Sequence, residues 1–160
     1  QAGYARGVPM GGRLSGAKEG QKATFLVAAT KDPNGADLDR VQIIKGWLDA
    51  AGQTHEKVFE VVWSGGRKPA ENGKVPAIGN TVDLNNAKYS NAIGAPQLTA
   101  VFVDPEFDPA QRAVYYVRVL EIPTPRWTLY DKVRFGVQMD EKVPMTLQER
   151  AFSSPIWYNP

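Results

Sequence analysis

Residues Asp104–Trp127 read D-P-E-F-D-P-A-Q-R-A-V-Y-Y-V-R-V-L-E-I-P-T-P-R-W. Pro105 and Pro109 mark the opening as a crossing loop, because proline fixes φ and withholds a donor from any ladder. Ala113–Ile122 then concentrates β-branched and aromatic residues, the composition that a pleated, half-buried surface favours. Pro123 and Pro125 end that strand and form a stiff exit carrying Arg126 and Trp127. Loop, long strand and rigid exit predict a β-sandwich with a contact surface at one end.

Working outward, Leu98–Val103 is the strand before the crossing loop. Thr24–Thr30, T-F-L-V-A-A-T, is a short apolar run closed by the turn K-D-P-N-G. Arg40–Leu48 sets Val41, Ile43, Lys45 and Trp47 against Gln42, Ile44, Gly46 and Leu48. Both sets are partly apolar, so this strand is expected to be covered on both sides. D-A-A-G-Q-T leads into Lys57–Trp63, which completes a hairpin. Residues 64–80 read as an extended surface loop and Thr81–Leu84 as a minimal strand. Thr128 in T-L-Y-D and Thr146 in T-L-Q-E each match a helix-start signature, a capping hydroxyl answered by an acid three residues on. Two short helices are expected there, with a strand-like V-R-F-G-V between them. Phe152, Ile156 and Trp157 are the expected anchors of the C-terminal end. Tyr115-Tyr116 follows a D-P-A-Q corner, where sandwich domains return a Tyr hydroxyl to the backbone.

The expected fold is therefore all-β, an antiparallel immunoglobulin-like β-sandwich with one or two short helices near the C-terminus. Residues 1–22 form a Gly-rich lead-in with an edge strand through Val8, Met10 and Leu14. Residues 23–160 form a single sandwich domain. The chain opens at Gln1 without a basic and then apolar leader, and is expected to be a piece of a larger protein.

Composition removes many chemistries. There is no Cys in the 160 residues and His55 is the only His. Disulfides, Fe–S sites, Cys nucleophiles and multi-His metal centres are excluded. A Ser-His-Asp triad would have to run through His55, which the context A-G-Q-T-H-E-K places on an exposed loop. Lys and Arg number 19 against 17 Asp and Glu, a net charge of +2. So small a charge makes no field for a polyanion, and nucleic acid is not an expected partner. No apolar run approaches the length of a membrane span.

Four constellations remain. Asp32, Asn34, Asp37 and Asp39 have the spacing of hard oxygen ligands, but the distal acid of a calcium loop is replaced by Ile43, and a plain turn is the expected reading. Asp104, Glu106 and Asp108 are either solvated loop acids, the expected state, or an acid/base pair across a cleft. Trp47, Trp63 and Trp157 lie in strand-like runs and are expected to pack rather than to form a sugar-stacking row. Arg126, Trp127, Tyr130, Asp131 and Arg134 form the main candidate surface, for an anion or a neighbouring domain. Prolines hold its backbone, and Arg, Trp and Tyr are the types that dominate binding hot spots. The competing reading has Trp127 and Tyr130 cover the end of the sandwich while Arg126 pairs with Asp131.

Four blocks carry a family resemblance: G-V-P-M-G-G from Gly7, D-L-D-R-V-Q-I-I-K-G-W-L-D from Asp37, D-P-A-Q-R-A-V-Y-Y-V-R-V-L-E-I-P-T-P-R-W-T from Asp108, and S-S-P-I-W-Y from Ser153. The chain resembles the C-terminal part of bacterial proteins of domain-of-unknown-function family 3604. Arg13 stands where the family more often has an acid. That family is similar to metal-dependent phosphoesterases of the polymerase-and-histidinol-phosphatase type. Their His and Asp metal-ligand motifs lie toward the N-terminal side, and none is in this chain. The resemblance thus implies a non-catalytic accessory domain without its own cofactor, with an N-terminal catalytic-like domain as partner and an extracytoplasmic home. An autonomous carbohydrate-binding module is the alternative, and a carboxylate-dependent hydrolase the third.

Overall fold

A computed structural model describes residues 7–160. Residues 1–6 of the expected lead-in lie outside the described residues. In chain order the elements are β1 (Arg13–Ser15), β2 (Thr24–Thr30), β3 (Leu38–Leu48), β4 (Thr54–Trp63), β5 (Gln97–Val103), β6 (Ala113–Glu121), β7 (Thr124–Pro125), α1 (Trp127–Phe135), β8 (Thr146–Leu147), β9 (Arg150–Phe152) and β10 (Ile156–Asn159).

The strands form a sandwich of unequal layers. The large sheet has the order β1-β10-β6-β3-β4, with β9 also on β6. Every pairing in it is antiparallel except β1 with β10, which is parallel. The second layer is the antiparallel pair β2–β5, in the register Leu26 to Val101. β9 and β10 lie along the same edge of β6, interrupted by Ser153-Ser154-Pro155. Ser153 bridges the break. Its backbone N–H donates to the Val117 carbonyl and its hydroxyl accepts from the Val117 N–H, both at 3.0 Å.

The core sits between the layers. Phe25, Val27 and Leu98 face Val41, Ile43, Ala113 and Tyr115. The rings of Phe25 and Tyr115 meet at a tilt with centroids 4.6 Å apart, and Phe107 meets Tyr158 edge-on at 4.8 Å. Each such large side chain stabilises the fold by roughly 1.5–3 kcal/mol when fully buried. β3 is covered on both faces, as its double apolar pattern predicts: Ile43 and Ile44 are both buried. Part of the outer cover comes from residues 64–80. Val75 is buried, and the Val75 and Pro76 carbonyls accept from the Arg40 guanidinium at 2.7 and 2.9 Å.

Several expectations require correction. Thr81–Leu84 is no strand; Asp83 organises a turn there, accepting from the Asn85 and Asn86 N–H groups and bridging to Lys88. The second helix does not form. Thr146–Leu147 is β8, paired to β7, because the stiff Thr124–Pro125 segment offers a ready strand and tertiary pairing overrides a local cap signature. V-R-F-G-V is not a strand either, since its first three residues finish α1. Thr128 is not the cap of that helix. Arg126 occupies the cap position in extended conformation, and the Thr128 hydroxyl donates to the Pro144 carbonyl at 2.8 Å. At the C-terminal end, Phe152 and Trp157 are exposed, whereas Tyr158 is buried and Ile156 packs on the core. Alternation along β10 decides this, because Trp157 and Tyr158 must face opposite ways. Tyr158 is also the residue whose hydroxyl returns to the backbone, donating to the Pro109 carbonyl at 2.8 Å; Tyr115 points elsewhere.

Candidate functional site

The P-T-P-R-W segment runs through β7 and the cap position Arg126 into the first residue of α1. Pro125 is buried and pairs with Thr146, and the Arg126 N–H donates to the Met145 carbonyl at 2.9 Å. This clamps the chain as it leaves the sandwich. α1 then begins without a side-chain cap and stops at Gly136, whose φ of 66° is a left-handed end that only glycine adopts freely. Thr128 and Leu129 root the helix in the body, while Lys132 and Arg134 in the last turn complement its dipole.

The solvent side of α1 is unusual. Trp127 is 60% exposed and Phe135 75%, with Val133 and Val137 also open. The Arg126 guanidinium lies over the Trp127 ring at 5.3 Å, and that of Arg134 lies over Tyr130 at 5.3 Å. Stacking fixes both cations without neutralising them. Asp131 does not pair with Arg126: among the described residues neither makes an ion pair within 4.0 Å. All five sequence-expected residues thus belong to one cap position and one short helix. Chemically, the patch offers an apolar anchor flanked by two Arg heads suited to carboxylate or phosphate.

The other carboxylates are engaged in structure. Asp32 accepts the Asn34 N–H of its turn at 2.8 Å, Asp37 pairs with Lys31 at 2.9 Å, and Asp39 takes Arg40 and Arg67. Asn34 contributes only its backbone N–H to this turn. Among the described residues no group of three or more His, Cys, Asp or Glu side chains converges as a metal site.

Asp104 overturns the expectation of solvated loop acids. It is fully buried, its Oδ2 2.7 Å from Lys45 Nζ and 2.7 Å from the Tyr115 hydroxyl, while its Oδ1 accepts the Glu106 N–H at 2.9 Å. Burial, and then the hydrogen bond to Asp104, push the Tyr115 hydroxyl far above its ordinary pKa, so it stays a donor. Glu106 does stand in solvent, paired with Lys57, and Asp108 caps its own turn through the Ala110 N–H at 2.8 Å.

Sequence reasoning missed Lys45, although the signal was present: a Lys on the apolar side of β3, between Ile43 and Trp47, must find a buried partner. It also missed Gln148, which donates to Asp39 Oδ2 at 3.0 Å and to the Glu121 carbonyl at 2.9 Å. Nothing local marks that residue. His55 is half-exposed at the start of β4, with Nε2 2.8 Å from Asp49 Oδ2 and its ring on Trp47. That hydrogen bond, followed by the Gln53 N–H, lowers the Asp49 carboxyl below its ordinary range. Trp47 and Trp63 are half-buried and the latter donates to the Arg67 carbonyl, so neither joins Trp157 in an exposed row.

Among the described residues no helix is long and apolar enough to cross a membrane. No curated protein and no solved structure matches the chain. The match that does exist runs from end to end, over residues 1–160, to a family described as a protein of unknown function, DUF3604. The chain belongs to the DUF3604 family.

Proposed function

We propose that this chain is a non-catalytic accessory β-sandwich that packs, through the outer side of α1, against a metal-dependent hydrolase-like domain. The observation that carries the reading is the exposed Trp127 and Phe135 on a helix clamped at a fixed angle and flanked by Arg126 and Arg134. Large aromatics left in water on a pre-ordered helix are favourable to bury and cost little entropy to dock. The two cations suit a carboxylate-bearing surface, or an anionic substrate held at the mouth of the neighbouring site. The family resemblance supplies the class of partner. The engagement of Asp32, Asp37, Asp39 and Asp104 in turns and ion pairs favours this reading over carboxylate catalysis in the chain itself.

The test is a divalent-metal phosphoesterase assay on a full-length family protein carrying this region, with Arg126→Ala and with the double change Trp127→Ala, Phe135→Ser. Because Trp127 and Phe135 lie largely in solvent and Arg126 is only partly buried, the isolated chain should keep its stability within about 0.5 kcal/mol. The full-length protein should lose docking, read as faster proteolysis between the domains, and several-fold activity. Activity in the isolated chain would refute the accessory reading. Unchanged docking in the double variant would place the interface elsewhere.

A further inference from the structure

Among the described residues the smaller layer is too narrow to cover the larger one. β5 lies nearest β4 and β3, so the inner face of β6 and β9 beyond β2 is left without a cover. An open groove of about 1180 Å³ runs there, floored by Val117, Val119, Ala151 and Ile156 and walled by β2 along its whole length. Among the described residues β2 pairs with β5 on one edge only. Its other edge offers a row of backbone N–H and C=O groups beside an apolar floor, the surface that another backbone satisfies best.

The charges at one end of the groove are not balanced. Lys31, Asp32, Glu121, Glu149 and Arg150 line it. Lys31 is already held by Asp37 at 2.9 Å, which leaves Asp32, Glu121 and Glu149 facing Arg150. Burial, then the nearby Glu149 and Asp32, raise the Glu121 carboxyl above its ordinary pKa. A cation is what this end lacks.

We propose that this groove takes an extended strand from a partner polypeptide, added to the free edge of β2, with alternate apolar side chains on Val117 and Val119 and a Lys or Arg beside Glu121 and Glu149. A small apolar ligand would leave the β2 backbone row unpaired. Among the described residues the edge strands of a second copy are unsuited: β2 and β5 contain no Lys or Arg, Lys57 of β4 is paired with Glu106, and β1 has only three residues. No residue of α1 lines the groove, so this surface is separate from the one assigned above.

The probes are two fluorescein-labelled peptides of alternating Val and Thr, one ending in Lys and the other in Glu. Polarisation should show the Lys peptide binding at least tenfold more tightly, and amide exchange should show new protection across Thr24–Thr30. Glu149→Lys, at an exposed position, balances the charges at this end and should abolish the preference. Ala151→Trp should fill the floor from an exposed edge strand and weaken binding at least tenfold, with the thermal midpoint unchanged. Absence of binding by either peptide, equal binding of both, or binding without protection of β2 would overturn the proposal. So would concentration-dependent dimerisation, seen by sedimentation, that Ala151→Trp abolishes and the Lys peptide does not compete away; the groove would then belong to a second copy.

Discussion

At the scale of single residues, the most consequential group is Lys45, Asp104 and Tyr115. An ammonium and a carboxylate taken out of water cost several kcal/mol each unless fully partnered. Here Lys45 Nζ also donates to the Glu106 carbonyl at 2.7 Å, and both oxygens of Asp104 accept protein donors. Asp104→Leu should therefore cost about 3–5 kcal/mol, because it strands a buried cation. Lys45→Met combined with Asp104→Leu should recover most of that loss. Tyr115→Phe should cost about 1–3 kcal/mol. Urea midpoints of the four proteins check these values together. Glu121 tests the opposite situation. Its folded pKa is raised, so the folded state binds the proton more tightly than the unfolded chain, and stability falls as pH rises from the ordinary carboxylate value through the raised one. Glu121→Gln should flatten that part of the stability–pH curve and, with screening at a partly exposed site discounted, gain at most about 0.5 kcal/mol at neutral pH. A variant that titrates like the parent would show that Glu121 is not the group responsible.

At the scale of elements, two glycines separate steric from conformational cost. Gly94 has a φ of 93°, and a Cβ there would stand 2.5 Å from Asp37 Cβ and 2.9 Å from Ile122 Cγ2. It lets the connection into β5 press against the start of β3, where the Ala95 and Leu38 backbones exchange hydrogen bonds at 2.8 and 3.0 Å. Gly136, with a φ of 66°, ends α1 in open space. Gly136→Ala should cost about 1 kcal/mol, the conformational term alone. Gly94→Ala should cost at least about 2 kcal/mol more, since backbone and core must both shift. Thermal denaturation of the pair decides it, and equal losses would deny the close packing at Gly94. Elements were legible in the chain wherever their own residues settled them. β2 carries its apolar run and its turn, and β3 and β6 carry β-branched and aromatic residues throughout. Thr146 misled because the two residues of β8 answer to β7, 21 and 23 positions earlier, and not to their own neighbours.

At the scale of the whole molecule, a six-stranded sheet faces a two-stranded one, and the excess of the larger sheet is the open groove. The outer face of the smaller sheet is apolar too, with Leu26 and Val101 side by side and exposed. Together with α1, these surfaces leave several apolar areas of the described residues open to solvent.

The sequence by itself determined the sandwich class, the positions of its main strands and the end of β6 at the prolines before Arg126 and Trp127. Each follows from short-range alternation and from prolines, which act within a few residues. Tertiary structure alone decided that Asp104 is buried on Lys45, that Tyr158 and not Trp157 anchors the end, and that β2 keeps a free edge among the described residues. Those outcomes depend on which distant segments meet. Gln148 shows the distance involved, closing on Asp39 across 109 positions of chain. No local pattern encodes such a meeting, because what selects it is the burial of polar groups that must all be partnered at once.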